Sequence, residues 1–301
     1  MSDGGRFPNV VIAGGSGAVG SLFRETLARD GAPSVAVVDR RAPLAPLSGA
    51  TAVEDDITHP STWTLDRIAC CDLLILATPE PVAIEAATTL LPLMKSGSLV
   101  VDTLSVKSRY ARAIATTATD AEVLGVNPMF APSLGFAGRS VVAVPYRCAE
   151  LAEGFLAFIA SQGADVVRLD TEGHDRACAA LQAATHASVL CFGMALAAGS
   201  YDLSAVERIM PPPHRTLLAL LARIVSADPE VYRDIQAANP YAAEARAGLV
   251  DAHRRFDRLI DSGNPEVFHR LVTELRSLLA GSETDYAALC ARLFEIAPRS
   301  Q

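Results

Sequence analysis

The chain has 301 residues, of which 50% are hydrophobic and 20% charged, which is enough for about two domains with buried cores. This composition excludes a disordered, collagen-like or disulfide-scaffold protein. The chain carries 26 Lys and Arg against 34 Asp and Glu, a net charge of −8, and its acidic residues are dispersed. A nucleic acid is therefore not expected as a partner.

The apolar residues are spread along the chain. The most apolar stretch, residues 189–198, has ten residues and contains Gly193, which is too short to cross a bilayer. The start, Met-Ser-Asp-Gly-Gly-Arg, lacks the basic region and cleavage site of an export signal. We therefore predict a cytoplasmic protein that does not associate with a membrane. Its six cysteines show no metal-ligand spacing and are expected to be buried thiols.

In the first half of the chain, short β-branched runs alternate with helical segments, as in a mostly parallel sheet with crossover helices. The runs are residues 9–13, 34–38, 73–78, 99–102, 122–126, 140–145 and 165–169. From Thr171 onward no strand is predicted, and helical spacing is interrupted at residues 211–213, 228–229, 239–240 and 263–265, each of which contains proline. The prediction is an α/β Rossmann-type doubly wound sheet over residues 1–170, followed by an all-α domain over residues 171–301.

A glycine-rich turn lies between the first predicted strand and the first predicted helix. Gly15, Gly17 and Gly20 fit the pattern G-x-G-x-x-G, in which glycine permits a tight turn, close approach of a pyrophosphate and packing of helix on strand. The helix N-terminus would face the phosphate charge. The predicted dinucleotide contacts in this turn are Gly15, Ser16, Gly17, Ala18, Val19 and Gly20.

The residues after the second predicted strand bear on the choice of dinucleotide. Asp39 follows Gly20 by nineteen residues, and an acidic side chain there can bind the adenine ribose hydroxyls of NAD. Arg40 and Arg41 come next, and an arginine at this point can instead hold the 2′-phosphate of NADP. NAD is the predicted cofactor, and NADP stays open.

Polar side chains also follow other predicted strands. Thr78, Asp102, Ser105 and Asn127 come at or just after carboxyl ends, which share the ligand-binding edge of a doubly wound sheet. Thr78 and Asp102 are therefore predicted to contact the cofactor. Asp102 and Ser105 can alternatively cap the following helix. Lys107 can likewise be a solvated lysine in a first helical turn.

Several motifs in register resemble the prephenate dehydrogenase family. They are Asp-Thr-Leu-Ser-Val-Lys-Ser at 102–108, Val-Asn-Pro-Met-Phe-Ala-Pro at 126–132, Gly-His-Asp at 173–175, Leu-Gln-Ala-Ala-Thr-His at 181–186, Pro-His-Arg at 213–215 and Asp-Pro-Glu-Val-Tyr-Arg-Asp-Ile at 228–235. The resemblance implies a Rossmann domain, a helical domain that forms a homodimer, and oxidative decarboxylation with NAD. It also implies that Ser105 lies near the substrate ring, His186 in the active-site region, and Arg215 on a substrate carboxylate.

Local sequence also bears on the roles of His186 and Arg215. A histidine among apolar helix residues can be a core histidine with one hydrogen bond. Arg215 follows three prolines at a predicted helix start, where the helix dipole does not favour a cation, so a carboxylate partner accounts for it better. The pair His174-Asp175 opens the helical domain and can simply cap it.

Asn127 departs from the family, which has a histidine in this motif. Hydride loss from the hydroxyl-bearing C4 of prephenate leaves a strongly acidic protonated ketone, so a general base helps, typically by about 10²- to 10⁴-fold. Asparagine can hydrogen-bond but cannot take the proton. Either another residue is the base, or the substrate needs none.

An amine at C4 removes the need for a base, because the nitrogen lone pair drives the hydride out. The matching compound is 4-amino-4-deoxyprephenate, a dianionic cyclohexadienyl substrate whose dehydrogenation gives 4-aminophenylpyruvate, a precursor of p-aminophenylalanine in specialised metabolites. We predict this substrate, with Asn127 contacting the amino group through its amide oxygen and with Asn127, Ser105 and His186 as the catalytic group.

Other functions remain open. Prephenate itself is the first alternative. A dinucleotide-sensing protein without turnover is a second, although it would not need Ser105, His186 or Arg215. A β-hydroxyacid dehydrogenase would need a lysine early in the helical domain, and residues 170–225 contain none.

Overall fold

A computed structural model describes residues 7–29, 34–41, 43, 47–199, 202–279 and 281–296. The prediction about an export signal concerns residues 1–6, which lie outside the described residues. The chain forms two compact units. Unit 1 comprises Met1–Cys178 and Ala238–Pro240, and unit 2 comprises Ala179–Ala237 and Tyr241–Gln301.

Unit 1 is built on an eight-stranded sheet in the order β3-β2-β1-β4-β5-β6-β7-β8. The strands are β1 (Asn9–Ala13), β2 (Ser34–Asp39), β3 (Thr51–Glu54), β4 (Leu73–Leu76), β5 (Leu99–Asp102), β6 (Glu122–Pro128), β7 (Ser140–Arg147) and β8 (Asp165–Arg168). All neighbours pair in parallel except β6 and β7. The order reverses between β1 and β4, where doubly wound sheets bind ligands.

Both faces of the central strands of the sheet are buried. In β1, Val10 and Ile12 belong to one hydrophobic cluster while Val11 and Ala13 belong to another, because successive strand side chains point to opposite faces. This is why the strands have nearly continuous apolar runs. The helices of unit 1 are α1 (Ala18–Arg29), α2 (Thr62–Cys70), α3 (Glu80–Leu90), α4 (Ser108–Ile114), α5 (Glu150–Ser161) and α6 (Thr171–Cys178).

Unit 2 is helical throughout its described residues. A π-helical turn, Ala179–Ala184, precedes α7 (Thr185–Ala198), α8 (Leu203–Val206), α9 (Pro212–Val225), α10 (Pro229–Ala237), α11 (Ala242–Asp261), α12 (Pro265–Leu279) and α13 (Glu283–Ile296). Proline opens α9, α10 and α12, in keeping with its preference for the first helical turn. The four predicted helix breaks are confirmed.

The predicted fold class is also confirmed, and each of the seven predicted strands is present. The sequence-based prediction missed β3, which pairs only with β2 and is partly exposed along its length. Such a short edge strand lacks the apolar run that marks the buried strands.

Two expectations from composition are wrong. Among the described helices, the continuous helix Thr171–Ala198 is long and apolar enough to cross a membrane. The stretch considered in the sequence, residues 189–198, is only the last part of this helix. Length and composition are weak evidence, since core helices of soluble proteins meet the same criteria. The cysteines are all free, but only Cys71 and Cys178 are buried, whereas Cys70, Cys148, Cys191 and Cys290 are exposed.

Candidate active site

The glycine-rich turn joins β1 to α1 at the carboxyl edge of the sheet. Gly14 has φ +78°, and a Cβ there would lie 2.2 Å from the carbonyl oxygen of Ala77. A Cβ on Gly20 would lie 2.2 Å from the oxygen of Gly14. A Cβ on Gly15 would meet the Val37 side chain at 2.7 Å, and a Cβ on the exposed Gly17 would lie 3.2 Å from the carbonyl oxygen of Gly14. The turn thus depends on Gly14, which lies outside the predicted pattern, while Gly15 and Gly20 serve close packing.

The edge around this turn fits a dinucleotide. The Thr78 hydroxyl is buried without a hydrogen-bond partner, and its Cγ2 lies against the Gly14 turn. Ser16, Gly17 and Ala18 are exposed, Val19 is half-buried, and α1 has no acidic residue in its first turn. An exposed backbone turn, a helix N-terminus and an unused hydroxyl together suit a phosphate-bearing ligand.

Asp39 ends β2 beside the same turn. Its Oδ2 accepts a hydrogen bond of 2.9 Å from the Ser16 backbone N–H, so the carboxylate holds the turn in place. Asp39 is half-buried, whereas Arg40 and Arg41 are exposed. The arrangement brings the predicted acid to the glycine turn, as the spacing required.

Asp102 and Lys107 form a buried ion pair, which corrects the expectation that Lys107 is solvated. Both side chains are 0% exposed, and Lys107 Nζ lies 2.5 Å from Asp102 Oδ1 and 3.0 Å from the Val126 carbonyl oxygen. Burial lowers the pKa of Lys107, and the Asp102 carboxylate opposes that shift. Lys107 is therefore not a solvated helix-start lysine, whereas the contact of Asp102 with the cofactor stays a prediction.

This ion pair shapes the neighbouring backbone. Asp102 Oδ1 also accepts from the Leu104 N–H at 3.0 Å, so it holds the loop after β5 and does not cap α4. A Cβ on Gly125 would lie 3.1 Å from Lys107 Nζ and 3.0 Å from Asp102 Oδ2. Glycine at this position therefore leaves space for the ion pair. Ser105 lies half-buried in this fixed loop.

Asn127 lies near the end of β6 and contacts two side chains of α6. Its Nδ2 is 3.0 Å from His174 Nε2 and donates to Cys178 Sγ at 3.6 Å. The residue is 2% exposed. Its Oδ1 accepts no hydrogen bond from the described residues. This oxygen is not fully buried. The amide oxygen is therefore the polar atom of Asn127 that has no partner among the described residues.

His174 connects Asn127 to Asp175. Its Nδ1 lies 2.8 Å from Asp175 Oδ1, and both side chains are 0% exposed. Burial is the main reason that the pKa of His174 is lowered, with the Lys107 charge adding to it, while Asp175 opposes. A neutral His174 that donates from Nδ1 has an unprotonated Nε2, so Nε2 accepts from the Asn127 amide.

Asp175 is in turn fixed by the start of α4. Its two carboxylate oxygens accept the backbone N–H groups of Lys107 at 2.8 Å and Ser108 at 2.9 Å. Burial alone would raise the pKa of Asp175, but the hydrogen bonds from His174, Ser108 and Lys107 lower it below its ordinary value. Asp175 is thus a carboxylate. The expectation that His174-Asp175 only caps a domain is wrong, because both lie inside α6 and link it to β6 and α4.

The two predicted residues of unit 2 are described within that unit. His186 is half-buried on α7, its Nδ1 is buried without a partner, and its ring meets Tyr232 edge-on at 4.9 Å between centroids. Burial, with a contribution from Arg223, lowers the pKa of His186. Arg215 lies in the first turn of α9 and donates to the Glu207 carbonyl at 3.3 Å. Within the described chain, no carboxylate oxygen lies within 4.0 Å of its guanidinium.

Of the residues predicted from the sequence, the glycine turn, Asp39, Thr78 and Asn127 lie at one edge of the sheet. Sequence reasoning missed the contacts of His174, Asp175 and Cys178 with that edge. The available signal was a histidine and a cysteine four residues apart, which share one face of a helix. The described residues hold no group of three or more metal-ligating side chains.

Comparisons with known proteins point to one family. A family profile described as "Prephenate dehydrogenase, dimerization domain" matches residues 170–275. The chain is 42% identical to the 4-amino-4-deoxyprephenate dehydrogenase of Streptomyces pristinaespiralis over 294 residues, which is 98% of this chain and 99% of the relative. It is 29% identical to the T-protein of Enterobacter agglomerans over 86% of this chain and 64% of that protein.

Solved structures agree in fold. The prephenate dehydrogenase of Aquifex aeolicus in complex with hydroxyphenyl propionate and NAD+ superposes with a TM-score of 0.70 at 19% identity. The alignment covers 90% of this chain and 95% of that one. The arogenate dehydrogenase of Synechocystis gives a TM-score of 0.62 at 19% identity, over 92% of this chain and 99% of that one.

Proposed function

Because this chain belongs to the prephenate dehydrogenase family, we propose that it catalyses the NAD-dependent oxidative decarboxylation of 4-amino-4-deoxyprephenate to 4-aminophenylpyruvate. The observation that carries the choice of substrate is Asn127, which presents an amide oxygen and no base at the position where the family motif has a histidine. The name of the Streptomyces relative supports the same substrate.

The residues that would hold NAD lie at the carboxyl edge of unit 1. The turn from Gly15 to Gly20 would bind the pyrophosphate, Asp39 the adenine ribose with Arg40 beside it, and Thr78 would offer its unpartnered hydroxyl. When bound, NAD supplies the acceptor for the hydride. The exposed arginines after β2 make NADP the alternative, and saturation curves with each dinucleotide distinguish the two.

The chemistry at C4 fits the side chains around Asn127. An amine uses its N–H to donate to the amide oxygen and keeps its lone pair free to drive the hydride out. Breaking the C1–carboxylate bond then releases CO₂, and the bond's electrons complete the aromatic ring. The amine reacts in its neutral form, which arises by loss of a proton to water before hydride transfer, and it ends as a neutral aniline, so no residue has to take a proton from it in that step. His174, which is neutral and already bonded to Asn127, is not required as a base.

The substrate is a dianion, and the protein carries a net charge of −8. Local cations therefore have to outweigh the overall repulsion. We assign one carboxylate to Arg215, whose guanidinium has no carboxylate partner in the described chain. Ser105 is assigned to the ring and His186 to the active-site region, as the family resemblance implies.

Replacing Arg215 with alanine is expected to raise KM for the amino substrate with a smaller change in kcat. A charge-assisted contact is worth about 1.5–3 kcal/mol, which corresponds to a rise of roughly ten- to hundredfold. Arg233→Ala is the matched control, because Arg233 is exposed in the same unit and pairs with Glu230 at 2.7 Å. Steady-state kinetics check both variants. An unchanged KM in Arg215→Ala removes this residue from the site.

A direct comparison of substrates tests the function. Purified protein is assayed with NAD and either 4-amino-4-deoxyprephenate or prephenate, following NADH formation and CO₂ release. We expect kcat/KM to favour the amino substrate by at least about tenfold, since prephenate lacks a base in this site. Equal or faster turnover of prephenate overturns the choice of substrate, and no turnover of either overturns the enzyme.

We further propose that the protein is a cytoplasmic homodimer joined through unit 2. The family profile over residues 170–275 is that of a dimerization domain. Unit 2 leaves large apolar side chains exposed on its helices, as expected of a chain that a partner covers. They include Met194, Leu217, Val250, Phe256, Ile260 and Leu275. Six free cysteines suit a reducing compartment.

A further inference from the structure

The surroundings of Asn127 determine which end of its amide faces the ligand. Asparagine has one acceptor oxygen and an NH₂ group with two N–H donors, and the side chain can be turned over with little change in shape. In this structure Nδ2 is directed at two groups of α6, His174 Nε2 at 3.0 Å and Cys178 Sγ at 3.6 Å. Both of its N–H donors are therefore used inside the protein.

Asp175 fixes which ring nitrogen of His174 carries the proton. Asp175 is a carboxylate held by two backbone N–H groups of α4, so it can only accept from His174 Nδ1. Nε2 is then left without a proton and can only accept. Turning the Asn127 amide over would place Oδ1 against this acceptor. The Cys178 thiol, whose Sγ lies 3.5 Å from Nε2, has a single proton and could satisfy only one of the two acceptors, so the other would be left unpaired in a buried site, which is costly.

From this geometry, and resting on the proposed function, we infer that His174 is a positioning residue that makes the site select an amine. It keeps the NH₂ group of Asn127 away from C4, with Cys178 taking the second N–H. If that NH₂ group faced the substrate, it would donate to the lone pair of the amine, the electron pair that expels the hydride. A hydroxyl has two lone pairs and suffers less from such a donor.

The test replaces His174 with phenylalanine, which keeps a ring but offers no acceptor. Without the hydrogen bond to His174, the Asn127 amide samples both orientations. We expect kcat for the amino substrate to fall by about tenfold with a smaller change in KM, while kcat for prephenate changes little, because one net hydrogen bond is lost. His174→Gln places an amide oxygen near the position of Nε2 and should restore most of the selectivity. His269→Phe, on the exposed surface of α12, is the matched control.

A spectroscopic readout needs no substrate. The chain has four asparagines, at positions 9, 127, 239 and 264, so selective ¹⁵N-asparagine labelling gives four side-chain amide pairs, and Asn127→Ala identifies one of them. In the wild type we expect two distinct, slowly exchanging Asn127 protons, and in His174→Phe a clear shift and faster exchange. Amide signals and substrate ratio that stay unchanged in folded His174→Phe overturn the inference. If the wild type does not prefer the amino substrate, the proposed function is overturned instead. The amide signals then still report whether His174 holds the Asn127 amide in one orientation.

Discussion

Replacement of Asn127 by histidine is expected to raise kcat/KM for prephenate by at least about 10²-fold, because it supplies the general base that the hydroxyl substrate needs. His174 Nε2 is an acceptor at 3.0 Å from the Asn127 amide nitrogen. An imidazole at position 127 would donate one N–H to it and keep its other nitrogen unprotonated, ready to accept the C4 hydroxyl proton. Turnover of the amino substrate should stay the same or fall. Steady-state kinetics with both substrates measure the change.

Two further variants separate the base from a change of shape. Asn127→Gln alters side-chain length without adding a base and should not raise prephenate turnover. Asn127→His combined with His174→Phe should lose most of the gain, since the new imidazole then has no acceptor to orient it. An equal gain in Asn127→Gln would show that a base is not the cause. A folded Asn127→His protein without any gain would favour the dinucleotide-sensing alternative.

The features that sequence predicts here are local. A strand buried on both faces needs a continuous apolar run, and a nucleotide-binding turn needs glycine at fixed spacing, so β1, its turn and Asp39 can be read from neighbouring residues. The short strand β3 lacks such a run, and its pairing with β2 follows from tertiary structure.

The contacts of the site depend on residues far apart in the chain. Asn127 and His174 are separated by 47 positions, and Asp175 reaches the Ser108 N–H across 67. A sequence shows the residue types but not the packing of α6 against α4 and β7 that brings them together. Lys107 illustrates the same limit, because a lysine early in a helix is ordinarily solvated, and only the fold places Asp102 beside it.

Lys107→Met is expected to destabilise unit 1 by about 3–5 kcal/mol, because it leaves the Asp102 carboxylate buried without a counter-ion. The pair is fully buried, and Lys107 also binds the Val126 carbonyl, next to Asn127. Trp63 is the single tryptophan of the chain and lies on α2 of unit 1, so its fluorescence during urea unfolding reports on this unit. Measurements at one fixed protein concentration keep any association constant.

The matched control is Lys95→Met. Lys95 also lies 2.5 Å from a carboxylate, that of Asp72, but its side chain is 38% exposed, so the loss should stay within about 1 kcal/mol. Adding Asp102→Asn to Lys107→Met removes the stranded charge and should recover part of the stability, since the amide oxygen can still accept from the Leu104 N–H. If Lys107→Met and Lys95→Met lose the same free energy of unfolding, burial of the Asp102–Lys107 pair does not increase the cost of removing its lysine. If the double variant is less stable than Lys107→Met, the stranded carboxylate is not the source of the loss.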